Sequence, residues 1–424
     1  MTAARPAGTA LPGNRWDLLD GRWPADPPAV SVIVAHYRQP DQLARTLAAL
    51  ANQDHPRDRL QIIVADDGSP ESPAVPPGVD VVRQEDDGFR LAAVRNLGAR
   101  AAHGDVLVFL DADTTPEPGF VRALTRLPAL APDCVTVGRR RHAELAEVAG
   151  DRIADDAPAL ALPEPRWLAA AYERSGNLLD ADDRSYRHVI GAVVACSRTM
   201  FDATGGFDES FTRYGGEDWE WAYRAWLRGA VLAHVPEAVA WHDGPDAAAR
   251  DAATLARAND ETIRLADLIP VPGSAGRGLR SASVDVAVVP PPGATPGQRF
   301  ISLDSALAGI PGAAAAAVEP GWPGGLDGPG FDRVRLIVEL LVPLRVTGDD
   351  LHAGLERIER ERLGSLTLRS EAGAELVRIT AARAQARAER WGRGDLFETD
   401  AAAAPGILPL TGEPDLAAYL GGWG

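Results

Sequence analysis

Between residues 30 and 130 short apolar runs alternate with longer segments that are apolar on one face. Val30–Ala35, Leu60–Ala65, Val79–Arg83 and Val106–Leu110 are the runs. Val106–Leu110 is unbroken and suits a strand covered on both faces, and the other three read as strands beside it. The segments between them, Pro40–Asn52 with Leu43, Leu47 and Leu50 on one side, then Leu91–Ala102 and Pro118–Leu130, carry helical periodicity. Strand and helix alternating across short links predict a parallel sheet covered by helices. Val189–Cys196 reads as a further strand, followed by a helix ending near Gly205-Gly206. In Glu217–Arg228, Trp219, Ala222, Tyr223, Trp226 and Leu227 fall on one helical stripe, which Gly229 stops. Val231–Val235 and Ala238–Trp241 read as extended, and 246–268 as a closing helix.

The pattern weakens in three places. Residues 1–28, rich in Pro, Gly and Ala, are expected to be a poorly ordered leader. From about residue 139, through Arg139-Arg140-Arg141 to Asp155-Asp156, the charge density predicts an excursion over the surface. Pro270–Gly278 reads as a Pro/Gly linker, within a boundary over 269–282. These breaks delimit one α/β domain over 29–268 and a smaller C-terminal α/β lobe over 283–424. The lobe echoes the start of the chain: Ser283–Ala287 resembles Ser31–Ala35, Leu303–Leu307 stands where Leu43–Leu47 stood, and Ala313–Val318 where Leu60–Ala65 stood. A worn internal repeat and chance similarity in an Ala-rich chain both explain this. The counterpart of Asp66-Asp67-Gly68 would be Glu319-Pro320-Gly321, and no second Asp-x-Asp follows a buried strand.

Composition narrows the chemistry. Sixty acidic residues against 43 basic ones give a net charge of −17, which argues against nucleic acid or an anionic membrane surface as partner. Every one of the basic residues is Arg, so Schiff-base chemistry and a P-loop lysine are excluded. An anionic ligand must then be held by Arg, by backbone N–H groups or by a metal. Cys134 and Cys196 both lie in apolar runs and are expected to be small buried hydrophobes in a reducing compartment. No run approaches the ~20 apolar residues of a membrane span, and the expected location is the cytoplasm, with peripheral membrane association left open.

Four constellations carry candidate chemistry. Asp111 and Asp113 follow the fourth apolar strand, at the sheet edge where open α/β folds bind ligands. Two carboxylates there repel each other unless a cation such as Mg²⁺ or Mn²⁺ joins them, and a nucleotide diphosphate would bring one. Asp66-Asp67-Gly68-Ser69 ends the second strand and opens toward the same crevice. Tyr214-Gly215-Gly216 precedes Glu217-Asp218, a carboxylate pair at a helix start that favours its ionised form. Trp241-His242 ends the last extended segment, and a His beside paired aspartates shifts preference toward Mn²⁺. Each has a plainer reading: an Asx-turn, an acidic helix start, a structural His.

As a set, these motifs resemble the inverting family-2 glycosyltransferases of the GT-A fold, a Rossmann-like mixed sheet. Val30–Arg38 is similar to the family's first strand and nucleotide-binding loop, Asp66–Ser69 to its base-binding acidic motif, and Asp111-Ala112-Asp113 to its metal-binding triplet. Gln84–Arg90 with Ala93–Gly98 resembles the segment before that triplet in chondroitin-polymerase-type members. Gly205–Asp208 and Tyr214–Asp218 resemble the acceptor motif of the β-1,4-galactosyltransferases, which usually carry Trp where Tyr214 stands. The resemblance covers about residues 30–268. It implies a metal-dependent inverting transfer of sugar from a nucleotide-diphosphate sugar, most simply a UDP-sugar, to a hydroxyl acceptor such as a glycan or lipid-linked glycan. Nucleotide-sugar contacts are implied at Ala35, Tyr37, Arg38, Asp66, Asp67, Asp86, Arg95, Asp111 and Ala112, and metal ligands at Asp113 and His242. Asp218 is implied as the base, with Glu217 holding the acceptor beside Tyr214 and Trp221. Trp221 reads more readily as core. A sugar-nucleotidyltransferase and a non-catalytic scaffold are the rival readings. The first usually has a Gly-rich loop with Arg and Lys, and the second predicts damage to the acid set. The C-terminal lobe is expected to serve acceptor handling or self-association.

Overall fold

The computed structural model describes residues 6–245, 252–279, 281, 283–310, 312–316 and 332–421. Contacts group the chain into two compact units. One holds the chain up to Trp226 together with Ala230–Ile263, and the other holds Leu227–Gly229 and the chain from Arg264 onward.

The first unit is built on strands β1 (Val30–His36), β2 (Leu60–Asp66), β3 (Val79–Arg83), β4 (Val106–Asp111), β5 (Thr114–Pro116), β6 (Cys134–Ala143), β7 (Ala161–Leu162), β8 (Val193–Ser197) and β9 (Val231–Asp243). They pair in the order β3-β2-β1-β4-β8-β6-β9-β5, with β7 against β6. β1, β2, β3 and β4 are parallel, as the strand–helix alternation predicts, and β8 enters antiparallel to β4. The helices are α1 (Pro40–Ala51), α2 (Leu91–Ala101), α3 (Phe120–Leu130), the single turn α4 (Ile153–Asp156), α5 (Arg166–Arg174), α6 (Arg198–Thr204), α7 (Glu217–Leu227) and α8 (Ala252–Leu268). β1 is buried along its whole length, Ser31 included, and Val106–Leu110 of β4 is buried as well, which accounts for their predominantly apolar sequences. α2 lies so close to β1 that a Cβ on Gly98 would come within 2.4 Å of Ile33 Cγ2.

Two expectations need correction, and a third is extended. Residues 6–28 are not a loose leader: Leu11 and Leu19 are buried with Leu127, Ala131, Cys134 and Val231. The Asn14 side chain donates to the carbonyls of Leu178 and Leu232 and accepts from Leu232 N–H. Apolar residues too sparse to form an element of their own still fill a gap left by others. Arg139–Arg141 are not a surface excursion but the continuation of β6. They alternate across it, with Arg139 and Arg141 both paired to Glu164 and the Arg141 guanidinium 4.0 Å over the Trp241 ring. The two extended segments after Val231 are one strand, whose register against β6 shifts between Gly138 and Arg139. That shift sets residues 236–238 outside the ladder, where Pro236 has no N–H to give.

The second unit contains β10 (Val286–Val289), β11 (Ala314–Ala315), β12 (Leu336–Leu340), β13 (Leu344–Val346), β14 (Ser365–Arg369), β15 (Glu375–Ala381), β16 (Thr399–Ala403) and β17 (Ile407–Pro409). Its helices are α9 (Pro296–Ala308), α10 (Asp350–Glu361), α11 (Ala382–Trp391) and α12 (Leu416–Tyr419). The main sheet runs β11-β10-β12-β15-β14-β16, and β13 pairs with β17. A core of Val288, Leu303, Val338, Leu355, Leu366 and Ile379 lies on this sheet. Ile269 and Val271, within the expected linker, are buried. The expected counterparts Val318 and Glu319-Pro320-Gly321, and residues 246–251 of the expected closing helix, lie outside the described residues.

Candidate active site

The register of the central strands gathers the acids. Ala35 stands beside Asp111 across β1 and β4, and His36 beside Asp66 across β1 and β2. Parallel strands all end at the same edge, so residues 35–39, 66–69 and 111–113 share it. β5 then pairs antiparallel with β9 and sets Thr114 opposite His242. His242 Nε2 comes to 3.7 Å from Asp113 Oδ2, although 129 positions separate the two residues. Gln39, just before α1, donates its side-chain N–H to the same oxygen at 3.0 Å, and the Thr114 hydroxyl donates to the other. His142, opposite His242 on β6, holds its ring centroid 5.0 Å from that of His242. Burial, then the neighbouring Asp111, pushes the Asp113 carboxyl above its ordinary range, against the pull of His242 and Gln39. A divalent ion would reverse that push. Among the described residues no three His, Cys, Asp or Glu side chains converge as a complete metal site. Asp113 and His242 offer one oxygen and one nitrogen, so an ion held there takes its remaining donors from a bound ligand and water.

A cavity of about 380 Å³ opens at this edge, lined by Ala35, Tyr37, Gln39, Asp67, Asp111, Asp113 and Tyr214, with Phe89, Leu91 and Val94 as apolar wall. Tyr214 is 66% exposed at the rim and meets Phe89 edge-on at 5.8 Å. The two adjacent aspartates differ in role. Asp66 is completely buried, and its oxygens accept from His36 Nδ1, Ser69 N–H, the Ser69 hydroxyl and Arg83 Nε. Since Gln39 N–H donates to His36 Nε2, the ring carries its proton on Nδ1. Asp66 is therefore a scaffold group, not the ligand contact expected of it. Asp67 faces the cavity, where it accepts from Gln84 and from Arg90 N–H. Burial raises its carboxyl above the ordinary value.

Five more expected contacts are displaced. Ala112 is fully buried; its N–H donates to the Ala35 carbonyl and its own carbonyl accepts from the Thr46 hydroxyl. Asp86 and Arg38 lie outside the cavity wall: Asp86 accepts from the Tyr37 hydroxyl and pairs with Arg38, whose guanidinium sits 4.7 Å over the Tyr37 ring. Both therefore act on Tyr37. Trp221 has no exposed surface, packs on Phe207 and donates its indole N–H to Thr204, so it belongs to the core rather than to an aromatic platform. Arg95, expected to meet an anionic donor, is 2% exposed and bridges Asp111 and Glu217 at 2.8 Å each. Burial works against its charge, but those carboxylates outweigh it and hold the guanidinium above its ordinary value.

That bridge links the strand-end acids to the start of α7. Burial, then the neighbouring Asp218, pushes the Glu217 carboxyl up to about 7 in spite of Arg95. Its Oε2 has no hydrogen-bond partner among the described residues. Asp218 is also raised by burial, while Gly191 N–H donates to its Oδ2 at 2.9 Å. Gly191 allows this approach because a Cβ there would stand 2.9 Å from both Arg95 and Asp218. At Gly215, with φ of +97°, a Cβ would meet the Glu261 carboxylate of α8 at 2.5 Å. Burial and Asp218 push Glu261 up to about 7. The sequence patterns missed Gln39, Phe89, His142, Gly191 and Glu261. Gln39, at the strand-to-helix turn before Pro40, had a positional signal, whereas Glu261 had none.

Residues 31–149 match Glycosyl transferase family 2, and residues 181–240 match the N-terminal domain of galactosyltransferase. The chain is 30% identical over 240 residues to chondroitin synthase of Escherichia coli, covering 51% of this chain and 35% of that protein. It is 32% identical over 235 residues to validoxylamine A glucosyltransferase of Streptomyces hygroscopicus subsp. jinggangensis, covering 48% and 53%. A solved mannosyltransferase of Pyrobaculum calidifontis, in complex with GDP-Man and Mn²⁺, aligns at a TM-score of 0.40 and 20% identity over 60% of this chain and 66% of that one. The chain spans between about a third and a half of the length of these two curated relatives. Among the described residues no helix is long and apolar enough to cross a membrane. Asp67, Asp111 and Asp113 lie within the first matched segment and Glu217-Asp218 within the second, so the acids of this site fall in the part of the chain that is similar to family-2 glycosyltransferases and to the N-terminal domain of galactosyltransferase.

Proposed function

We propose that the protein is a metal-dependent inverting glycosyltransferase that takes a UDP-sugar as donor and a hydroxyl group as acceptor. The observation that carries this is the convergence of Asp67, Asp111 and Asp113 on one cavity, with His242 Nε2 3.7 Å from Asp113. Three carboxylates with no lysine in the chain and Arg95 already engaged hold a diphosphate poorly unless a cation intervenes. Asp113 and His242 would hold Mn²⁺ or Mg²⁺, which when bound neutralises the charge developing on the leaving diphosphate. Asp67 accepts hydrogen bonds from the base or ribose, and Tyr37 and Phe89 flank it. Asp218 takes the proton of the acceptor hydroxyl, Glu217 orients that hydroxyl, and Tyr214 at the rim offers its ring to the acceptor. Arg95, by holding Asp111 and Glu217 together, fixes the donor side relative to the acceptor side.

The acceptor is a glycan, a glycoconjugate or a hydroxylated metabolite, as the names of the relatives suggest. Cys134 and Cys196 are buried and form no disulfide, which fits work in the reducing cytoplasm. Calorimetry tests the reading: UDP should bind in Mn²⁺, and both EDTA and Asp113→Ala should abolish binding. Equal affinity with and without the ion would overturn it.

A further inference from the structure

The second unit repeats the pairing scheme of the first. Along β2-β1-β4-β8-β6-β9 the neighbours are parallel, parallel, antiparallel, antiparallel and parallel. Along β11-β10-β12-β15-β14-β16 the same senses occur in the same order. β5 pairs antiparallel with the far end of β9, and β13 pairs antiparallel with β17, the strand that follows β16. α1, α3 and α6 have counterparts in α9, α10 and α11 at the same places in the chain order. Rules of handedness and short connections restrict topologies, but they do not dictate six strands in one order with five matching senses.

The registers agree as well. Val30 faces Val106 as Val286 faces Leu336, and Leu110 faces Val193 as Leu340 faces Val377. Thr136 faces Ala195 as Leu366 faces Ile379, and Thr114 faces His242 as Leu344 faces Pro409. Three residues, 111–113, lead from Leu110 to β5, and three, 341–343, lead from Leu340 to β13. Leu341, Val342 and Pro343 therefore occupy the positions of Asp111, Ala112 and Asp113, and Pro409 occupies that of His242. None of these side chains can ligate a cation. The acid-bearing helix has no counterpart either. Residues 205–230 carry α7 between α6 and β9, whereas 392–398 join α11 to β16 directly.

We infer that the C-terminal unit is a second copy of the GT-A fold whose metal and donor positions have become apolar, so that each chain holds a single nucleotide–metal site. The inference rests on the donor reading of the first unit and goes beyond it: the enzyme takes one nucleotide sugar at a time, and the second copy binds none. The test is calorimetric titration of the full chain with UDP in saturating Mn²⁺, beside Asp113→Ala and the closer isostere Asp113→Asn. One UDP per wild-type chain, and no saturable binding in either variant, is the expected result. Two UDP per chain, or one retained in both variants, would overturn the inference while leaving a nucleotide-binding protein. No binding of UDP, GDP or other nucleoside diphosphates by the wild type would instead overturn the donor reading, and the single-site inference with it.

Discussion

At the scale of single residues, Asp218 and Glu217 are neighbours with different hydrogen-bond partners. Asp218 receives Gly191 N–H and stands at the start of α7, where helix polarity favours its charge. Asp218→Asn keeps the shape but cannot take a proton, so turnover should fall by about 10²–10⁴-fold, while UDP affinity measured by calorimetry stays near wild type. Glu217 leads to a pH prediction. Its carboxyl keeps its proton up to about 7 in the folded protein, against an ordinary value of 4.5. Between those limits the folded state binds more protons than the unfolded one, so stability is full below the lower limit and falls as pH rises through the window. Glu261, also pushed up to about 7, contributes in the same sense. Urea unfolding across this window should show a shallower decline for Glu217→Gln than for wild type.

At the scale of elements, close approach matters more than propensity. Gly98 lies in the middle of α2, where glycine costs helix stability, yet the site needs it because Ile33 on β1 leaves no room for a Cβ. Gly98→Ala should therefore destabilise the first unit by about 1–3 kcal/mol through overpacking, despite the better helix former. Thermal unfolding is the measurement, and an unchanged or higher Tm would show that α2 can shift away. The same displacement would move Arg95, which α2 carries into the bridge between Asp111 and Glu217. Turnover should accordingly suffer more than donor affinity.

At the scale of the whole chain, the first unit depends on residues that form almost no regular structure. Asn14 ties the segment before β1 to Leu178 and Leu232, and Leu11 and Leu19 close the core against α3 and β9. Asn14→Ala should cost about 1–3 kcal/mol, since it leaves buried backbone groups without partners. Chemical denaturation followed by Trp fluorescence would measure it, and a loss under half a kcal/mol would mean that water replaces the amide at little cost. The proximity of Asp113 and His242 is likewise a property of the whole unit, because β5 and β9 meet only after the chain has passed through β6 and β8.

The elements and the location of the crevice were legible in the sequence because their causes are local. Predominantly apolar runs specify β1, β2 and β4 as strands, apolar spacing specifies α1, α2 and α3, and parallel strands must bring the residues after β2 and β4 to one edge. The acids of that edge, Asp66, Asp67, Asp111 and Asp113, could be named without a structure. Which of their oxygens remain available could not be. Asp66 and Asp67 are chemically identical neighbours, separated only by His36, Ser69 and Arg83, which take up Asp66. Trp221 and Arg95 went the same way, toward Phe207 and toward Asp111 with Glu217, and the leader found its place only where α3 and β9 left a gap. Burial and hydrogen-bond partnership are set by residues distant along the chain, so strand pairing and packing decide them, while periodicity within a segment carries no trace of either.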